Sequence, residues 1–212
     1  ALLGGETAEM PGLYPLGEYD LVGTIVGVVE KKKLITGKDI KPGDVVIGLP
    51  SGGLQTNGFS LARKVIFDQC GLTPQDHVPG TRLSVTDTLL AVHRSFLKPV
   101  SALMAKVPVR GMAHITGGGF VDNIPRVLPE TCNAIIDRSS WKVPTVFTFI
   151  QRQGKVDQDE MYRVFNMGIG YVIVVREKDA TATLSLLKAQ QQSPVIIGVI
   201  EKGHKKVIYR DR

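Results

Sequence analysis

Apolar residues fall into short runs separated by glycine, proline and charge, and their period changes along the chain. "DLVGTIVGVVE" (20–30) is an apolar, β-branched run of strand length, expected to be buried on both faces. The Gly- and Pro-rich residues 1–19 ahead of it suit an irregular loop. A charged turn region, "KKKLITGKDIKPGD" (31–44), follows, and a domain boundary is expected inside it. "VVIGLP" (45–50) predicts a second buried strand, leading into the glycine-rich "SGGLQTNG" (51–58). In "FSLARKVIFDQC" (59–70) the period becomes helical, with Phe59, Leu61, Ala62, Val65 and Ile66 on one face and Gly71 as the stop.

Residues 72–84 read as a loop. "VTDTLLAVHRSFLKPVSALMAKV" (85–107) predicts one long helix, capped at Thr86 or Asp87 and broken or kinked near Pro99. A strand over 109–116 enters "HITGGGFVDNIPRVLP" (114–129), and another covers 132–137. Two short helices are expected around 145–153 and 157–165, a buried strand at 167–175 and a helix at 179–192. A strand at 194–203 and a terminal strand at 205–210 should close a hairpin. The alternation predicts an α/β, or layered α+β, fold.

With 212 residues, 43% hydrophobic and 22% charged, the chain can bury a real core. A net charge of +6 suits anionic partners, nucleotides and sugar phosphates as well as nucleic acid. The charge is scattered, apart from "KKK" (31–33) and "KGHKK" (202–206), both expected to be solvated turns or strand ends. Trp141 and the scattered tyrosines make no stacking platform for single strands, so nucleic acid is not expected as a partner. Cys70 and Cys132 stand far apart without a CxxC pattern, which argues against a zinc site or disulfide framework and fits a reducing cytosol. No apolar run approaches a membrane span and no signal peptide is present, so a cytoplasmic location without membrane contact is expected.

The candidate chemistry lies in the two glycine loops, each at a strand-to-helix junction. Backbone N–H groups point outward there, and glycine lets an anion approach them. Any one such loop is more often a tight turn; two together, with Asn57 in one and His114 beside the other, favour a phosphate or sugar-phosphate site. Neither matches a P-loop or a dinucleotide fingerprint. His114 reads equally as a phosphate-neutralising or basic group and as a core histidine bonded to backbone. His77, on a loop, His93, on a helix, and His204, in a basic turn, are expected at the surface. Glu6, close to Glu9, could offer oxygens to Mg²⁺ or be an exposed loop acid, and Asp20, Asp122 and Asp137 have no partner at a telling spacing.

Taken in order, "GGETAEMPGLY", "DLVGTIVGVVE", the loop ending in "NGFSLARK", "HITGGGFVDNIPRVLP" and "EMYRVFNMGIGYVIVV" resemble the aminoimidazole ribonucleotide synthetase (phosphoribosylformylglycinamidine cyclo-ligase) family. The resemblance runs from Ala1 to about Lys206. It implies the end of an amino-terminal ATP-binding and dimerisation domain (1–33) and a complete carboxy-terminal, mixed-sheet domain with helices that closes over substrate (34–212). The chain begins without methionine and reads as a piece of a longer one, the family's Asp-rich and Gly-rich ATP segments being absent ahead of residue 1.

The implied activity is ATP-dependent closure of formylglycinamidine ribonucleotide to aminoimidazole ribonucleotide, releasing ADP and phosphate, by a homodimer using ATP and Mg²⁺. ATP phosphorylates the formyl oxygen, and an internal nitrogen displaces phosphate to close the ring. By the same resemblance Glu6 is a metal ligand. Ser51, Gly53, Gln55 and Asn57 form the loop facing substrate, Gly117, Gly118 and Gly119 the other wall, and His114 is catalytic. Where the family's loop usually reads Ser-Ser-Gly-Leu-His, this chain has "SGGLQ", so Gly52 lacks a hydroxyl and Gln55 cannot titrate. The alternatives are a selenophosphate synthetase or small-molecule kinase of the same superfamily, or a phosphate-ligand-binding module without activity.

Overall fold

The computed structural model of the protein describes residues 15, 17–19 and 26–210. The chain divides into two units, Ala1–Leu34 and Ile35–Arg212. In the first, residues 26–30 form no strand, and Val26, Val28 and Val29 are exposed. The two-faced buried strand expected over 20–30 is therefore absent from 26–30, and residues 20–25 lie outside the described residues. A β-branched run becomes a strand only where a neighbouring strand takes up its backbone groups, and among the described residues no strand pairs with 26–30. Lys31–Lys33 form one exposed 3₁₀ turn, as suits a solvated charge run.

The second unit is built on a six-stranded sheet: β1 (Val45–Pro50), β2 (Gly111–His114), β3 (Cys132–Asp137), β4 (Ile169–Val175), β5 (Val195–Lys202) and β6 (Val207–Arg210). The order across it is β2-β4-β1-β5-β3-β6. Every neighbouring pair is antiparallel except β3 and β6, which are parallel, so the sheet is mixed. The helices are α1 (Phe59–Arg63), which runs on as π-helical turns over Lys64–Gln69, α2 (Val85–Leu89), α3 (Leu97–Met104) and α4 (Gly119–Asn123). α5 (Thr145–Gly154), α6 (Gln158–Val164) and α7 (Glu177–Ala189) complete the set. The expected α/β class with a mixed sheet is what the protein has.

Both faces of the sheet are covered. Val46, Val172 and Val174 point into one core with Ala62, Phe120, Phe147, Ile150 and Met161 from α1, α4, α5 and α6. Their strand neighbours Ile47, Ile173 and Val175 point the other way, against Val100 and Leu103 of α3 and Leu187 of α7. Two covered faces explain why β1 and β4 read as unbroken apolar runs, although unbroken runs are the habit of parallel sheets. Each such side chain contributes about 1.5–3 kcal/mol by leaving water. No helix among the described residues is long and apolar enough to cross a membrane.

Three expectations are corrected. Residues 85–107 form α2 and α3 with irregular chain over 90–96 between them, not one helix kinked at Pro99. Pro99 sits in the first turn of α3, where its missing N–H goes unmissed. The cap of α2 is Ser84, whose hydroxyl accepts from the Asp87 amide, not Thr86 or Asp87. The terminal strands are no hairpin either. β1 and β3 occupy both edges of β5, so β6 crosses the end of β3 and pairs with its free edge. Asn133 of β3 fixes that crossing by accepting from the His204 and Lys206 amides at 2.8 and 3.0 Å.

An ion pair ties the beginnings of β1 and β2 across the end of β4. Nη1 of Arg110 lies 2.7 and 2.8 Å from the two oxygens of the buried Asp44 carboxylate, which also accepts from the Lys41 amide at 2.9 Å. Removing one partner strands a buried charge, a change that costs several kcal/mol. Arg110→Met is expected to lose about 3 kcal/mol in urea unfolding, and Asp44→Asn in the same chain to restore part of it. A single variant as stable as the wild type would show that the pair is incidental.

Candidate functional site

β1 and β2 both run antiparallel to β4, so they are parallel to each other and end beside its beginning. Pro50 pairs with Ile169 and His114 with Tyr171. The ladder continues one step on each side, the Ser51 amide donating to Gly168 O at 2.8 Å and the Ile115 amide to Gly170 O at 2.9 Å. The two glycine-rich stretches, far apart in sequence, thus leave the sheet on either side of residues 168–170.

A buried asparagine holds each of them. Asn166, 3% exposed, donates through Nδ2 to Gly53 O at 2.9 Å and Leu54 O at 3.1 Å. Its Oδ1 accepts from the Gly168 amide and lies 2.8 Å from the Ser51 hydroxyl, which also has Gly53 O within 3.1 Å. Asn123, 4% exposed, donates to Gly119 O at 2.8 Å and Gly117 O at 3.2 Å, and its Oδ1 accepts from the Thr116 hydroxyl at 3.1 Å.

The glycines do different work. Gly119 has φ +58°, and a Cβ there would lie 1.8 Å from Tyr162 O, so α4 reaches α6 only with glycine. That part of the signal is packing. Gly117 faces the other loop, where a Cβ would stand 3.2 Å from Asn57 Oδ1. Among the described residues the amides of Gly52, Gly53, Gly117 and Gly118 donate to no acceptor. A cleft of about 440 Å³ lies between the loops, lined by Asn57, Gly58, Gly117, Gly118, Asp122 and Arg163. The Arg163 guanidinium is 3.3 Å from Glu160, an exposed pair of little strength that leaves it available.

Gln55 is the costly residue of the first loop. It has φ +62°, is 9% exposed, and neither atom of its buried side-chain amide has a hydrogen-bond partner. Such a group costs about 1–3 kcal/mol. The bare backbone of Gly170 makes room for it beside Phe96: a Cβ on Gly170 would lie 2.8 Å from both Nε2 and the Phe96 ring.

His114 stands at the open end of β2 and does not line the 440 Å³ cleft. Its exposed ring leans on His93, Phe96 and Tyr171, with centroids 5.3, 6.2 and 6.1 Å away. Enclosure on that side lowers its pKa, and the charge of His93 lowers it further. Burial pushes the Tyr171 hydroxyl up. His93 is therefore not a lone surface histidine on a helix: it is half-buried in the 90–96 segment, its Nδ1 3.0 Å from Arg94 O. His77 and His204 are exposed, and Trp141 packs on Phe120 while donating to Met167 O at 2.9 Å.

Glu6 lies outside the described residues. Among the described residues no group of three or more His, Cys, Asp and Glu could hold a metal ion. Sequence reasoning missed Asn123, Asn166, Asp122 and Arg163 as parts of the loops and cleft. A signal was available for Asn166, a polar residue between Phe165 and Met167 and two positions before Gly168.

Residues 41–211 match the family described as AIR synthase related protein, C-terminal domain. The chain belongs to this family. It is 49% identical over 210 residues to the phosphoribosylformylglycinamidine cyclo-ligase of Syntrophus aciditrophicus (strain SB), covering 98% of this chain and 60% of that protein. The enzyme of the same name from Geobacter metallireducens (strain ATCC 53774 / DSM 7210 / GS-15) is 50% identical over 202 residues, covering 95% and 58%. The chain thus spans about 60% of the length of these curated relatives. Among solved structures, the hydrogenase maturation protein HypE aligns with TM-score 0.57 at 14% identity, over 82% of this chain and 51% of that one. Thiamine-monophosphate kinase from Stenotrophomonas maltophilia K279a aligns with TM-score 0.56 at 14% identity, over 85% and 54%. At that identity the likeness is one of fold.

Asn166 closes four contacts in this family member's first loop, and truncating it leaves the Leu54 carbonyl and the Gly168 amide unpaired, while Gly53 O keeps the Ser51 hydroxyl. Asn166→Ala is expected to cost about 3 kcal/mol in urea unfolding and to speed amide exchange at Gly168. A loss below about 0.5 kcal/mol, the scale of an ordinary surface change, would show that the loop holds itself.

Proposed function

We propose that this chain supplies the substrate-closing domain of an ATP-dependent cyclo-ligase that converts formylglycinamidine ribonucleotide to aminoimidazole ribonucleotide, with release of ADP and phosphate. The observation that carries the reading is the 49% identity to a phosphoribosylformylglycinamidine cyclo-ligase across 98% of the chain. The meeting of the two glycine loops at one cleft supports it.

On this reading the phosphate of the substrate lies against the free amides of Gly117 and Gly118, with Asn57 and the Arg163 guanidinium beside it. Ser51, Gly53 and Gln55 belong to the other, substrate-facing loop, which the buried Gln55 side chain shapes from within. Gly119 sets the wall by packing. Asp122 gives the cleft a negative group suited to a cationic amidine. His114 lies three residues before Gly117, at most about 10 Å along extended chain, within the span of a nucleotide-sized ligand. When the ring-closing nitrogen forms its bond to the formyl carbon and the phosphorylated oxygen leaves, that nitrogen sheds a proton. A neutral His114 can accept it.

ATP supplies the phosphoryl group, and the reading places its site, with Mg²⁺, in the amino-terminal domain of the family, to which residues 1–33 and Glu6 would belong. Among the described residues no group of three or more His, Cys, Asp and Glu could hold a metal ion, and on this reading the metal belongs with the amino-terminal site. The homodimer and a cytoplasmic setting come with the same reading, and residues 34–212 are the domain that closes over substrate.

Calorimetric titration of formylglycinamidine ribonucleotide into the chain without ATP should give saturable binding. His114→Ala should weaken it about tenfold, the loss of one hydrogen-bonding partner worth about 1.4 kcal/mol, while His204→Ala leaves it unchanged. Equal affinity in all three proteins would remove His114 from the site, and no binding by the folded wild type would remove the substrate site from this domain.

A further inference from the structure

We propose that His93 is a positioning residue for His114, and that the two imidazoles work as one acid–base unit at the end of β2: His93 takes up the proton, and His114 remains the neutral ring that accepts one. Its catalytic use rests on the function proposed above; the pairing itself does not.

The arrangement is asymmetric. The rings meet at 66° with centroids 5.3 Å apart, close enough for a charge on one to oppose a charge on the other. Nδ1 of His93 lies 3.0 Å from the Arg94 carbonyl. A carbonyl only accepts, so Nδ1 carries hydrogen in either charge state. Protonation of His93 at Nε2 therefore costs no existing contact, and the carbonyl dipole favours the resulting cation. His114 has the opposite surroundings. It leans on Phe96 and Tyr171, which favour the uncharged ring.

The other groups around His114 do not reverse this order. On β4, Tyr171 presents a phenol whose hydroxyl is 3.7 Å from Met112 Sδ and whose pKa burial has raised, so it stays neutral. In the 90–96 segment, the Arg94 guanidinium is turned to Pro50 O at 3.4 Å. Among the described residues His93 is the charged group acting on His114, and its charge adds to the effect of enclosure. The pair thus takes up one proton readily and a second only at lower pH, in steps that belong to the pair. With its pKa lowered, His114 is neutral at neutral pH, the form that can accept a proton.

Proton NMR of the histidine C2 resonances across pH 4.5–8.5 tests this in the chain without ligand, apart from substrate binding. In the wild type the His114 midpoint should lie below the ordinary imidazole value. In His93→Gln the His114 midpoint should move up yet remain below the ordinary imidazole value, because Phe96 and Tyr171 still enclose it. Reciprocally, His114→Gln should raise the midpoint of His93. Unmoved His77 and His204 report an intact fold. Should His93→Gln lose dispersion, His114→Gln, which alters an exposed ring, carries the test. Midpoints of His114 that agree between wild type and His93→Gln, an unmoved His93 in His114→Gln, or a wild-type His114 midpoint at or above the ordinary imidazole value would overturn the pairing.

Discussion

The site depends on one constraint, the antiparallel register of β1 and β2 on opposite edges of β4. Because both neighbours oppose the same strand, Pro50 and His114 finish together beside Ile169 and Tyr171. A slip of one residue would turn the inward side chains outward on two covered faces. Val172 and Val174 on one side, and Ile173 and Val175 on the other, hold the register at the cost of both cores. The same packing that folds the domain therefore places the two loops. At the opposite end of β4 the Arg110–Asp44 pair ties the beginnings of those strands, so the three-strand unit is closed at both ends.

On that frame the loops are held by polar contacts rather than by helix length. α4 has five residues and α1 five before its π-helical turns, too few for a strong dipole. Asn166 and Asn123 substitute side-chain hydrogen bonds for a regular backbone ladder and leave particular glycine amides turned outward. Against these satisfied networks stands Gln55, buried and unpaired. A buried amide that costs stability and has no hydrogen-bond partner marks the place where the loop is shaped for something other than its own folding.

The ring cluster on the neighbouring segment shows how local structure sets chemistry. His93 reaches His114 only because α2 ends at Leu89 and the chain stays irregular until α3 begins at Leu97. Had 85–107 run as one helix, His93 would have taken a position set by helical period rather than by the end of β2. The interruption converts two unremarkable histidines, 21 positions apart in the sequence, into neighbours with unequal surroundings.

The sequence by itself determined most of the elements, because period and breakers act locally: β1, β4, α5, α6 and α7 follow from their apolar patterns and from glycine or proline at their ends. It also determined the family, through motifs that survive as strings, and pointed to "SGGLQTNG" and "TGGG" as places where bare backbone matters. It did not determine which strand pairs with which. β6 reads as the second arm of a hairpin, yet it lies on β3 because β5 has no edge left. Nor could spacing separate Gly119, required by the Tyr162 carbonyl, from Gly117, which faces the cleft. The asparagine latches, Asp122 and Arg163 in the cleft, and the His93–His114 contact exist only once distant segments are packed. Pairing, partner choice and the surroundings that divide a proton between two imidazoles are long-range properties, and only the tertiary structure decides them.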